Sequence, residues 1–119
     1  MSRDWLLYLD DLITSTEKVV PFTQGRSLAQ WQADEAAFDA VLFNLQVIGE
    51  AIKKLPEMAA GQLSEPHRRG PARLRDLIAH HDFSLDAQII WDVATLHVPA
   101  LLAEAMALRD QTDPGAPAG

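Results

Sequence analysis

Apolar residues recur at three- and four-residue spacing along most of the chain, the period of helices buried on one side. The first such stretch, residues 2–20, carries Trp5, Leu9, Leu12, Ile13, Thr16, Val19 and Val20 with acidic residues between them. It predicts an amphipathic helix capped by Ser2 and stopped by Pro21 and Gly25. After a turn over 23–27, Ser27 is placed to cap a short helical piece carrying Leu28 and Trp31. Asp34 is the next cap, with Glu35 in the first turn, where the helix dipole favours an acid. The stripe Phe38, Val41, Leu42, Leu45, Ile48, Ile52, Leu55 then predicts a second long helix ending near Lys53 and Lys54, before Pro56. Gly49 inside it costs about 1 kcal/mol against alanine, which implies that another backbone comes close there.

Gly61, Pro66, Gly70 and Pro71 interrupt the pattern, so residues 59–71 read as a loop with one turn near 59–63. A third helix is expected to start at Pro71, carry Leu74, Leu77 and Ile78, and end around 81–83. Ser84 caps the last helix and Asp86 sits in its first turn; Pro99 should kink it before it ends near Asp110. Ile89, Ile90, Trp91, Val93, Leu96, Val98, Leu101, Leu102 and Met106 make this helix apolar nearly all round. Such a helix is covered on two sides, and in so small a domain the second cover is expected to be another subunit. No strand pattern and no internal repeat is present. The expectation is an all-α bundle of four main helices with a short extra segment, a single domain over 1–112 and a disordered tail over 113–119.

With 48% hydrophobic and 23% charged residues, the 119-residue chain has the make-up of one globular domain. A net charge of −7 disfavours nonspecific attraction to nucleic acid or anionic membrane, so any such contact needs a local basic patch. Arg68, Arg69, Arg73 and Arg75 supply one and are candidate RNA-binding residues. The absence of cysteine excludes disulfides, thiolate nucleophiles and sulfur-held zinc. The N-terminal stretch lacks the apolar core of a signal peptide, and no apolar run reads as long enough to span a bilayer. A cytoplasmic protein without a membrane partner is therefore expected.

Chemistry concentrates in residues 74–83, Leu-Arg-Asp-Leu-Ile-Ala-His-His-Asp-Phe. At 100° per residue Arg75 and His80 lie about 140° apart, so they meet at one phosphate only if the helix is distorted or ends there, or if two copies of the site converge. Asp76 and His80 are four apart and share a face, which would let Asp76 fix the imidazole tautomer. Asp82 falls nearly in line with Arg75 and would compete for its guanidinium. These parts suit RNA cleavage by the neighbouring 2′-hydroxyl. Histidine moves protons near neutral pH, arginine stabilises the phosphorane, and no metal or cofactor is needed. The competing reading is a set of solvated cations at a helix end, since an arginine followed five positions later by histidine is common by chance. A metal site is the poorest reading, because His80, His81 and Asp82 diverge on a helix. His67 reads as a loop residue, His97 as a satisfied interface histidine, and Trp31 and Trp91 as core.

Taken together, the Gly49-Glu50-Ala51 turn, Arg75-Asp76-x3-His80, Phe83-x2-Asp86, Ile90-Trp91-Asp92-Val93 and Pro99, in this order, resemble the HepT-like proteins of the HEPN superfamily. These are the toxin half of HepT–MntA toxin–antitoxin pairs. The resemblance implies a metal-independent ribonuclease working as a homodimer, with Arg-x4-His motifs of two subunits lining one cleft. Arg75 and His80 are then the catalytic pair, with Asp76 and His81 in supporting positions. The implied partner is an MntA-like nucleotidyltransferase antitoxin that transfers AMP onto a tyrosine two residues after the motif histidine. Here that position holds Asp82, and the one tyrosine in the chain is Tyr8, far away in sequence. The stretch before the motif also lacks the family's Pro-Trp pair. A non-catalytic helical partner or regulator of a nucleotidyltransferase is the alternative that Asp82 and the acidic balance favour.

Overall fold

In a computed structural model, the structure describes residues 4–79 and 86–112. The expected cap Ser2, the motif residues His80, His81 and Asp82, Phe83, the expected cap Ser84 and the 113–119 tail lie outside the described residues. Those described form helices and turns, with no strand among them. In order they are α1 (Trp5–Thr23), α2 (Leu28–Ala33), α3 (Glu35–Lys54), α4 (Glu57–Ala60) and α5 (Glu65–Ala79). A final rod follows, made of α6 (Ala87–Asp92), a π-helical turn (Val93–His97) and α7 (Val98–Thr112). Helix α1 packs along α3 and α7, and α3 packs along α5.

The apolar stripes meet as their spacing requires. Leu9, Leu12 and Val19 of α1, Val41, Leu45 and Ile48 of α3, and Val98 and Leu101 of α7 are fully buried in one core. Each such side chain contributes roughly 1.5–3 kcal/mol by leaving water. Trp31 projects from the short α2 into the same core, 4.8 Å from the Phe38 ring and 5.4 Å from the half-buried Trp91, between ring centroids. The Ser27–Gln30 capping box starts α2, and Asp34 caps α3 by accepting from the Ala37 N–H at 3.1 Å. That amide is the main reason the Asp34 carboxyl is held below its usual range, with the Arg26 guanidinium beside it adding to the effect.

Three boundaries differ from the sequence reading. Pro21 does not stop α1: the helix runs on to Thr23, with the proline exposed in the last turn and Thr23 buried. Losing one hydrogen bond on the solvent side of a final turn is tolerated when the residues beyond are anchored. Gly25, at φ +74°, then reverses the chain, a conformation glycine adopts without steric penalty.

The second difference is larger. Helix α5 begins at Glu65 rather than Pro71, so His67, Arg68 and Arg69 are helical and not in a loop. Glu104 of α7 holds the start of this helix, accepting from the Ser64 N–H at 3.0 Å and from the Ser64 hydroxyl. Pro66 sits in the first turn, where backbone N–H groups have no intrahelical acceptor. Gly70 and Pro71 act as packing residues. A Cβ on Gly70 would stand 3.2 Å from the His97 ring, so the glycine lets α5 approach the π turn.

Third, Asp86 is the cap of the last rod, accepting from the Ile89 N–H at 2.9 Å, and helix starts at Ala87. Pro99, which lacks the N–H of a regular helix, follows directly on the wide turn, where the Val98 N–H reaches back to Val93. By length and mean hydropathy (1.4) the rod Ala87–Thr112 is sufficient to cross a bilayer, contrary to the sequence reading. Its buried face, however, is engaged in the core through Ile90, Val93, Ala94, Val98, Leu101, Ala105 and Leu108. Leu96 and Met106 on the rod remain exposed, as do Leu7 and Phe43 elsewhere.

Candidate functional site

Arg75 is carried by α5 at the point where that helix runs closest to α3. Gly49 makes the contact: a Cβ there would lie 2.6 Å from both the Arg75 Cβ and the Pro71 carbonyl oxygen. The backbone approach inferred from this glycine is therefore real, and the helix it admits is the one bearing the arginine. The next residue on α3, Glu50, then meets Arg75, with Oε2 accepting from Nε at 2.8 Å. A second carboxylate, Asp76 Oδ1, stands 3.5 Å from Arg75 Nη1, the outer limit of a hydrogen bond. Glu50 thus grips the guanidinium by its inner nitrogen and leaves its outer nitrogens less tightly engaged. These are the nitrogens a bidentate hold on phosphate uses.

Two lysines complete the cluster. Lys53 donates to Asp76 Oδ1, and Lys54 lies 3.7 Å from Glu50 Oε1 with its ammonium 5.1 Å above the Tyr8 ring. The Lys53 hydrogen bond is the main reason the Asp76 carboxyl is held below the usual carboxylate range, and Arg75 adds to it. Asp76, expected to orient His80, is thus engaged by Lys53 among the described residues. Its pairing with His80 involves a residue outside them, as does the role assigned to His81. The competition for Arg75 expected from Asp82 likewise involves a residue outside them; among the described residues, Glu50 and Asp76 contact the Arg75 guanidinium.

Arg75, Glu50 and Lys54 line an open groove of about 370 Å³ together with Tyr8, Asp11, Phe43, Gln46, Val47 and Ala51. Tyr8, distant in sequence, therefore shares a groove with Arg75, because α1 packs along α3. The other arginines of α5 lie nearer its N-terminus. Arg69 pairs with Glu65, Arg73 is exposed, and Arg68 is half-buried with its Nε unpartnered among the described residues. Arg69 and Arg73 line a different depression, with Gly70 and His97. There the Nδ1 atoms of His67 and His97 are 3.1 Å apart, so His97 is satisfied within the chain, by a residue of α5. Burial first, and His67 second, push its pKa below the usual histidine value. No group of three or more His, Asp or Glu suited to a metal occurs among the described residues.

Sequence reasoning missed Glu50, Lys53, Lys54 and Tyr8 as members of the site. The lysines had read as ordinary cations at a helix C-terminus. Glu50 was recoverable in principle, because whatever backbone approaches Gly49 must also pass its neighbour.

The molecule is thus a helical bundle presenting an arginine braced by a carboxylate beside an open groove. Its sequence from residue 12 to 108 matches the Ribonuclease HepT-like family. The chain belongs to that family. A protein of Methanocaldococcus jannaschii bearing the name of an RNase is 34% identical over 97 residues, covering 82% of this chain and 80% of its own. A Thermococcus cleftensis protein named as a ribonuclease HepT is 29% identical, with 92% of this chain and 99% of its own aligned. A second M. jannaschii protein, named as a gamma-glutamylcyclotransferase and RNase, is 26% identical over 95% of this chain, which spans 51% of it. No solved structure matches the chain.

Proposed function

We propose that this chain is a cytoplasmic endoribonuclease, the toxin of a HepT–MntA-type pair, which cleaves RNA without a metal through Arg75 and His80. The carrying observation is the Arg75 guanidinium, held from its Nε side by Glu50 at the wall of an open groove. Family membership and the RNase names of its relatives point the same way. In this reading the 2′-hydroxyl oxygen attacks phosphorus as its proton passes to a histidine base. The P–O5′ bond then breaks as the leaving oxygen takes up a proton, giving a 2′,3′-cyclic phosphate and a 5′-hydroxyl. Arg75 stabilises the added charge on the phosphorane and His80 moves the protons. A homodimer brings two Arg-x4-His motifs to one cleft, and the exposed Leu96 and Met106 of the last rod are consistent with a covered face. An MntA-like nucleotidyltransferase is the antitoxin partner. Asp82 adds a negative charge within the motif and attenuates cleavage relative to a tyrosine.

The test is expression without a partner, followed by RNA cleavage with the purified protein. Arg75→Ala and His80→Ala are each expected to relieve growth arrest and abolish cleavage. Arrest undiminished by both changes would contradict the reading. For Asp82, the Asp82→Tyr variant is expected to cleave faster; an equal or slower rate rejects the attenuation.

A further inference from the structure

The groove beside Arg75 has more chemistry in it than a phosphate requires. Phe43 lines it with 64% of its surface exposed, although an aromatic ring is stabilised by leaving water. Tyr8, Gln46 and Asp11 line the same space. Asp11 is exposed and, among the described residues, forms no hydrogen bond or ion pair, whereas Glu50 beside it is engaged by Arg75 and Lys54. At about 370 Å³ the groove falls within the ~300–1,000 Å³ range of small-ligand sites.

We infer that this groove is a nucleobase subsite for unpaired RNA, selective for guanine, adjoining the phosphate held by Arg75. The inference rests on the reading of Arg75 as the phosphate-binding cation. Single-stranded RNA is bound by stacking its splayed bases on aromatic rings and reading their edges with polar side chains. Phe43 is the stacking platform, since its ring is the exposed aromatic surface in the groove. Tyr8 is a wall, with Lys54 already over its ring. Asp11 is an acceptor-only group with both oxygens available. Guanine alone among the four bases presents two adjacent donors, N1–H and the N2 amino group, on its Watson–Crick edge, and a carboxylate accepts both at once. The side-chain amide of Gln46, which lines the groove, is assigned as the donor to guanine O6. Uracil, cytosine and adenine each offer a carboxylate a single donor group on that edge.

The experiment uses the full chain and fluorescein-labelled single-stranded oligonucleotides, 2′-O-methylated so that they stay intact. Each is an adenosine tract carrying one central guanosine, inosine or adenosine. Wild type is expected to bind the guanosine probe about tenfold more tightly than the adenosine probe, the scale of a good paired contact. Inosine, which lacks the N2 amino group, falls between them. Asp11→Asn should abolish the guanosine preference. Phe43→Leu should weaken all three probes about tenfold and Phe43→Tyr restore them, because stacking needs a ring and not merely apolar bulk. Equal affinity of wild type for the three probes overturns the guanine assignment, and unaltered binding by Phe43→Leu overturns the platform. A change of oligomeric state in Phe43→Leu, seen by light scattering, shows Phe43 to be a subunit contact and also overturns it. Because the probes cannot be cleaved, the result is independent of catalysis. Loss of the proposed ribonuclease reading appears instead as binding of the probes that Arg75→Ala leaves unchanged.

Discussion

Helix α5 meets its two neighbours through a glycine on each side, and the two contacts differ in what they accomplish. Against α3, Gly49 admits the Pro71 carbonyl and the Arg75 Cβ, and the charged residues around the contact open onto a groove. Against the π turn, Gly70 admits the His97 ring, and the contact ends in a half-buried imidazole pair. The first places backbone against backbone, so its geometry has little slack. The second places backbone against a side-chain ring that can move. The lesson is that the rigid contact is the one that positions Arg75, while the softer one holds the helix to the rest of the bundle.

The most damaging way to break this comparison is Gly49→Ala. Overpacking costs about 1–3 kcal/mol, against roughly 1 kcal/mol gained in helix propensity. A net loss is expected because neither the Pro71 carbonyl nor the Arg75 Cβ can rotate away. Urea denaturation reads the loss directly, and an unchanged or raised midpoint would show the contact to be looser than described.

A smaller effect is expected from acid at the second contact. His97 has its pKa lowered in the folded state, so the unfolded chain binds the extra proton first. Its contribution to stability is therefore present above the unfolded value of about 6.5 and is lost as pH falls toward the folded one. Protonation sets a cation against His67, with Asp92 the nearby carboxylate that partly offsets it. Comparing denaturation midpoints on either side of pH 6.5 should show the drop, flattened in His97→Gln. An equally steep drop in that variant would locate the titration elsewhere.

Gly70→Ala is the smallest change expected. Its Cβ would crowd the edge of the His97 ring at 3.2 Å and stand in ordinary contact with Val93 Cγ2 at 3.6 Å, and the helix-propensity gain of about 1 kcal/mol offsets the crowding. An unfolding free energy within about 0.5 kcal/mol of wild type is predicted from urea denaturation. A loss as large as that of Gly49→Ala would erase the distinction between the two contacts.

How much of this was readable beforehand follows from the same distinction. Helix α3 was legible from the Asp34 cap to Lys54, because caps and apolar periodicity are local signals. Gly49 was legible as a close approach, since a glycine in mid-helix needs a reason. Helix α5 was misread at its start because Pro66, Gly70 and Pro71 each resemble a breaker. What makes them helical is the Ser64–Glu104 clamp and the fit of Gly70 to His97, contacts formed across the fold. At the site, Arg75 and Asp76 were found from their density in sequence. Glu50, Lys53, Lys54 and Tyr8 join them only through the packing of α1 and α5 on α3, which no single stretch encodes.

The proposed role of the α3–α5 contact is to present the Arg75 guanidinium to a phosphate. It is tested most directly by the single-turnover rate of RNA cleavage by purified Arg75→Ala against wild type. Arg75 is half-exposed and its ion pairs lie at the surface, so the variant should stay within about 1 kcal/mol of wild-type stability. The rate should fall about 100-fold or more, the scale of losing a group that stabilises transition-state charge. A folded Arg75→Ala protein that cleaves RNA at the wild-type rate would contradict it.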